Sequence, residues 1–169
     1  MHSILELVSS VRKSLEIENW IASVLVVLTI PDICGKIEFP DDNSSSRYIK
    51  WFENNVADKY NYMAQDIYAL RCSMLHEGSD SIIGQRKRKE YDDFTFQPNS
   101  TNTGVIVVDN CNSGGTHAII NLVDFCNSIL AAVEIWNTSR NVHLDFKIPE
   151  DSYTVDGVTS VGKFFEQNV

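Results

Sequence analysis

This chain is poor in positive charge and lacks the patterns that announce a metal, a membrane span or a phosphate loop. Lysine and arginine total 14 against 23 aspartates and glutamates, for a formal net charge of −9. That deficit argues against a protein coated all over for non-specific nucleic-acid binding, and leaves room for a local basic site. The four cysteines, Cys34, Cys72, Cys111 and Cys126, form no CxxC pair, and no His/Cys spacing suggests zinc. No metal or cofactor is expected, and the thiols are expected to stay reduced in a cytoplasm. The N-terminus has no charged start followed by an apolar run, so no signal peptide is expected. The longest apolar stretch, Trp20 to Ile30, ends at Pro31, short of the roughly 20 residues a membrane span needs. It reads as a fully buried helix, and no membrane partner is expected. Asp41-Asp42 and Asp92-Asp93 are adjacent pairs more typical of loops than of metal sites, Gly114-Gly115 follows no phosphate-loop pattern, and no Ser–His–Asp order stands out. His117, on a strand–turn boundary, reads as structural.

What is present is ordinary for a globular protein. Hydrophobic residues make up 43% and charged residues 22% of 169, enough for one domain with a proper core. Ile4, Val8, Val11 and Leu15 recur at helical spacing, as do Ile21, Val24, Leu25 and Leu28, with Pro31 expected to end or kink the second helix. A polar loop, Pro40 to Ser46, leads into a third helix capped by Ser45 or Ser46 and carrying Ile49, Phe52 and Val56. A fourth runs from about Ala64 to Glu77, with Gly78 where a left-handed residue is wanted. After Gly84 the character changes. The basic run Arg86 to Lys89 precedes two alternating segments, around Tyr91–Phe96 and Val105–Val108, which read as a hairpin. Asn112 to Gly115 signals a turn, His117 to Ile120 a third short strand, and Leu122 to Val133 a long helix capped by Asn121. A brief alternation at Val142, Leu144 and Phe146 and a short helix near Val161 complete the reading. The expected fold is one α+β domain over 1–169, mainly α: a bundle from 1–80 and 121–138, a small antiparallel β-hairpin or sheet insertion at 90–120, and a C-terminal extension at 139–169.

The fourth helix carries the most informative stretch, Arg71-Cys72-Ser73-Met74-Leu75-His76. Arginine grips phosphate with a rigid fork of donors, and histidine moves a proton near neutral pH. Met63, Ile67, Leu70 and Met74 form one apolar stripe, while Tyr68, Arg71, Cys72, Leu75 and His76 occupy the other side. Arg71 and His76 fall about 140° apart on the wheel. They are therefore expected to diverge within one chain, on a helix that is either central in a monomer or at a homodimer interface, where two copies of the pair would converge across a two-fold axis. The plainer alternative pairs Arg71 with Asp66 or Glu77 and leaves His76 at the helix C-terminus, where an imidazolium is favoured.

Arg71-x4-His76 late in a helical bundle, after two apolar helices and a third, resembles the R-x4–6-H motif of the HEPN-domain superfamily. The likeness covers roughly residues 1–80 and the helix near 122–137. It implies a metal-independent endoribonuclease acting as a homodimer, as in bacterial defence and toxin–antitoxin systems, with an antitoxin or other partner protein. His76 would take the 2′-OH proton or protonate the leaving 5′-oxygen, and Arg71 would hold the scissile phosphate. Asp66, Tyr68, Cys72 and Glu77 would shape the site, and Arg86, Lys87, Arg88 and Lys89 would bind RNA. Cys72 departs from the family pattern, whose active members usually place Asn, Asp or His after the arginine. The resemblance therefore also admits a non-catalytic HEPN-like module that binds a protein or a nucleotide.

Overall fold

The computed structural model describes residues 2–57, 61–101, 104–110, 115–144, 152–155 and 158–161. The chain begins with β1 (His2–Ser3) and α1 (Ile4–Glu16), then α2 (Trp20–Glu38) and α3 (Ser44–Phe52). A π-helical turn (Glu53–Ala57) extends α3, and α4 spans Ala64–Glu77. Three strands follow, β2 (Asp93–Gln97), β3 (Val105–Asn110) and β4 (Gly115–Asn121), then α5 (Leu122–Asn137). The last strands are β5 (His143–Leu144), β6 (Ser152–Val155) and β7 (Val158–Val161). The fold is mainly helical with a small mixed sheet.

Local chemistry sets the helix ends. Ser3 caps α1 in a capping box with Glu6, and Asn121 accepts from the Asp124 N–H to cap α5. Gly78 closes α4 at φ 65, a left-handed conformation that costs glycine little. The cap of α3 is Asn43, whose side chain accepts from Ser46 N–H, rather than Ser45 or Ser46 as expected. Asn43 lies in extended backbone one residue ahead of the helix, where a cap belongs.

Pro31 does not stop α2. The helix continues to Glu38 with Pro31 buried inside it, because packing on α1, α3, α4 and α5 compensates for the lost backbone bond. At 19 residues with a mean hydropathy of 1.7, α2 is long and apolar enough to cross a membrane, contrary to the sequence expectation. Here it serves as the central core helix. Its coverage is also less complete than expected, since Ile21 is 75% exposed.

At Gly35 the α2 backbone comes so close to α3 that an added Cβ would lie 2.6 Å from the Arg47 carbonyl oxygen. Backbone cannot yield as a side chain can. Gly35→Ala is therefore expected to destabilise the fold by about 1–3 kcal/mol, despite the roughly 1 kcal/mol that alanine gains in helix propensity. A urea titration checks this. A variant as stable as the parent would mean that α3 separates freely from α2.

The sheet differs from the expected hairpin. β4 is central, antiparallel to β3 and parallel to β2, in the order β2-β4-β3. β3 and β4 pair around the expected turn, whose residues 111–114 lie outside those described; Asn110 pairs with Gly115. β2 and β3, next to each other in sequence, thus lie on opposite edges of β4. Phe94, Ala118 and Ile120 join the same buried cluster as the helices, and Phe96 meets Phe125 of α5 at 5.4 Å. Val161 lies in β7, antiparallel to β6, rather than in a helix. Phe146 lies outside the described residues.

Candidate functional site

The outer side of α4 faces α2, α3 and the basic loop. Ile67 and Leu70 are buried in the core as the stripe requires, and Met63 and Met74 pack at its margin. Arg71 and His76 do not diverge. Arg71 Nη1 lies 3.3 Å from His76 Nε2 in the same chain. The wheel angle describes where side chains leave the backbone, whereas the long, flexible arginine stem spans the arc between them. An arginine only donates, so Nε2 is the acceptor and the ring proton sits on Nδ1 in this arrangement. His76 is exposed, and the Arg71 side chain retains 19% of its surface.

The carboxylate that holds Arg71 is neither Asp66 nor Glu77. It is Asp32 of α2, whose Oδ2 lies 2.6 Å from Arg71 Nη2. Asp32 Oδ1 accepts from Ser44 Oγ at 3.2 Å and faces Arg47 Nε at 3.8 Å. Asp32 stands one residue beyond Pro31, so a helix expected to end there hid it. Two guanidinium groups thus share one carboxylate. Arg47 Nε, Arg71 Nε and the Tyr48 hydroxyl are all buried without a hydrogen-bond partner. Burial, and then the nearby Asp32 charge, hold the Tyr48 phenol well above its ordinary range.

Asp66 has a different task. It is fully buried and accepts backbone N–H bonds from Lys89, Glu90 and Tyr91 at 2.5, 2.9 and 3.3 Å. It lies in the first turn of α4, more than a helical turn before Arg71, and pins the end of the basic loop. Glu77 accepts from Gln85 Nε2 at 2.8 Å and ties the start of that loop to α4. Between these ties is a cavity of about 420 Å³ whose lining includes Tyr68, Cys72, Glu77, Arg86 and Lys87.

The basic run therefore divides. Arg86 and Lys87 are exposed beside this cavity. Arg88 turns back to pair with Asp92, and Lys89 borders a separate cavity with Glu53 and Tyr62. Tyr68 both packs edge-on against Tyr48, at 5.2 Å, and lines the cavity. Its phenol is raised above the ordinary range by burial, then by its hydrogen bond with Cys72. Cys72 is half-buried, unlike Cys34 and Cys126. Burial pushes the Cys126 thiol up to about 12 and raises that of Cys34 as well, which makes both poor nucleophiles. Cys111 lies outside the described residues.

Several of the other groups noted in the sequence have partners within the fold. His117 pairs with Asp93, its register partner across β2 and β4. Asp92 accepts from Thr116 N–H at 2.7 Å, and Asp42 binds Lys50 at 2.6 Å. Among the described residues no group of three His, Cys, Asp or Glu side chains could hold a metal. No protein-family model, no curated protein and no solved structure matches the chain.

Proposed function

We propose that this protein is a HEPN-like, metal-independent endoribonuclease. The carrying observation is the 3.3 Å Arg71–His76 contact at the open end of α4, with Asp32 steadying the guanidinium. His76 removes the proton of a ribose 2′-OH once Arg71 turns its Nη1 from the imidazole to the phosphate, which frees the Nε2 lone pair. The 2′-oxygen then attacks phosphorus, the bond to the 5′-oxygen breaks, and that oxygen leaves with a proton. Arg71 stabilises the charge that grows on the non-bridging phosphate oxygens. DNA is spared because it lacks the 2′-OH. One chain holds one arginine–histidine pair, so a homodimer through the motif helix would supply a second histidine as the acid. Arg86 and Lys87 fit an approach path for the RNA backbone.

The Arg71–Asp32 ion pair also favours a second reading, a non-catalytic module that binds a nucleotide or a protein. A carboxylate at 2.6 Å already satisfies part of the fork that a phosphate needs. The nature of the products decides between them. Purified protein incubated with RNA in EDTA is expected to yield 2′,3′-cyclic phosphate and 5′-hydroxyl ends, read by end-labelling and mass spectrometry. Intact RNA, or 5′-phosphate ends, would rule out the ribonuclease.

A further inference from the structure

A second cavity borders Asp32, the carboxylate that Arg71 engages. Its volume is about 490 Å³, and Asp32, Lys36, Arg47 and His143 line it together with aliphatic side chains such as Ile33 and Leu144. The lining holds two permanent cations and one carboxylate. That carboxylate is already bonded to Arg71 and Ser44. In a chain of net charge −9 this is a local excess of positive charge. Arg47 is held there by the close α2–α3 contact at Gly35, and its nearest approach to the carboxylate, 3.8 Å, is too long for a hydrogen bond. Its Nε is buried and has no acceptor. An unsatisfied buried donor is costly, and Asp32 cannot turn toward Arg47 without releasing Arg71.

We infer that this cavity is a second phosphate subsite, in which Arg47 and Lys36 hold the RNA phosphate adjoining the one at Arg71. This rests on the ribonuclease reading. The two guanidinium groups approach the two oxygens of one carboxylate, a closeness that suits neighbouring phosphates of one RNA backbone. Lys36 is exposed, and its ammonium group now donates to the Pro40 carbonyl at 2.8 Å, a contact that an incoming phosphate can replace or share.

The test uses the full chain and an RNA oligonucleotide carrying 2′-O-methyl groups, which blocks attack but keeps every phosphate. Affinity is measured against salt concentration for the parent, Arg47→Gln and Lys36→Gln. Arg47→Gln is expected to weaken binding about tenfold at low salt. It should also flatten the salt slope by roughly 0.7, the share of one single-strand phosphate. Lys36→Gln, at an exposed position that folding tolerates, should move both in the same direction. If the parent binds and cuts RNA while both variants keep its affinity and slope, the subsite is overturned and the ribonuclease stands. If the parent neither binds nor cuts RNA, the ribonuclease reading itself fails and takes the subsite with it.

Discussion

His76→Ala is expected to lower the rate of RNA cleavage in EDTA by about 10²–10⁴-fold, the usual contribution of a positioned general acid or base. Stability should stay within about 0.5 kcal/mol of the parent, because substitutions at exposed positions rarely do more. The separation of the two effects is what makes the experiment informative. His76 is exposed in the last turn of α4, and the Gly78 cap there uses backbone groups, not the imidazole. Its side-chain hydrogen bond is with Arg71, which keeps Asp32 when the imidazole is gone. A large loss of rate without a loss of fold would therefore be a loss of proton transfer. Single-turnover rates and a thermal melt on the same preparation check both halves. Cleavage that persists in His76→Ala, or that requires added magnesium, would sink the assignment.

The candidate site was partly legible in the sequence, and its legible parts are local. The span of α4, its Gly78 cap and the Asn121 cap of α5 depend on neighbours within a few residues, where capping chemistry decides. The inward stripe through Ile67 and Leu70 follows from the helical repeat in the same way. What the sequence hid depends on distant partners. Pro31 signals a helix end locally, but tertiary packing carries α2 onward to Glu38 and thereby puts Asp32 beside Arg71. Asp66 looked like a partner for that arginine. Its real partners are three backbone N–H groups more than twenty residues away, which no side-chain pattern encodes. The parallel β2–β4 pairing is non-local too, while adjacency in sequence suggested β2 beside β3. At the C-terminus, Tyr153 to Val155 and Val158 to Val161 flank an Asp-Gly dipeptide. That is a hairpin signal, and a helical reading near Val161 passed over it.

Asp66→Ala should cost the fold more than any other substitution considered, about 3 kcal/mol or more. It removes the shared acceptor of three backbone donors, of which the buried Tyr91 N–H alone is worth roughly 1–3 kcal/mol when left unpaired, and the part-buried Lys89 and Glu90 N–H groups add to it. Against a total stability of about 5–15 kcal/mol, such a loss leaves a much weaker protein. Asp66 is fully excluded from water, and the Tyr91 N–H it serves is buried too, so solvent cannot readily replace the carboxylate there. Asp66→Asn is expected to fall between the parent and alanine, because the amide keeps one acceptor oxygen but turns an NH₂ group toward other donors. The damage should begin in the loop. Arg86 and Lys87 are held beside Tyr68 and Cys72 partly because Asp66 fixes the three residues from Lys89 to Tyr91. In Asp66→Ala the amides of these residues should exchange faster, and trypsin should cut sooner within the Arg86–Lys89 run. A urea titration gives the global loss, and hydrogen exchange with timed trypsin digestion locates it. A variant within about 0.5 kcal/mol of the parent, the range of an ordinary surface change, with equally protected amides, would show that the loop is held by something other than this carboxylate.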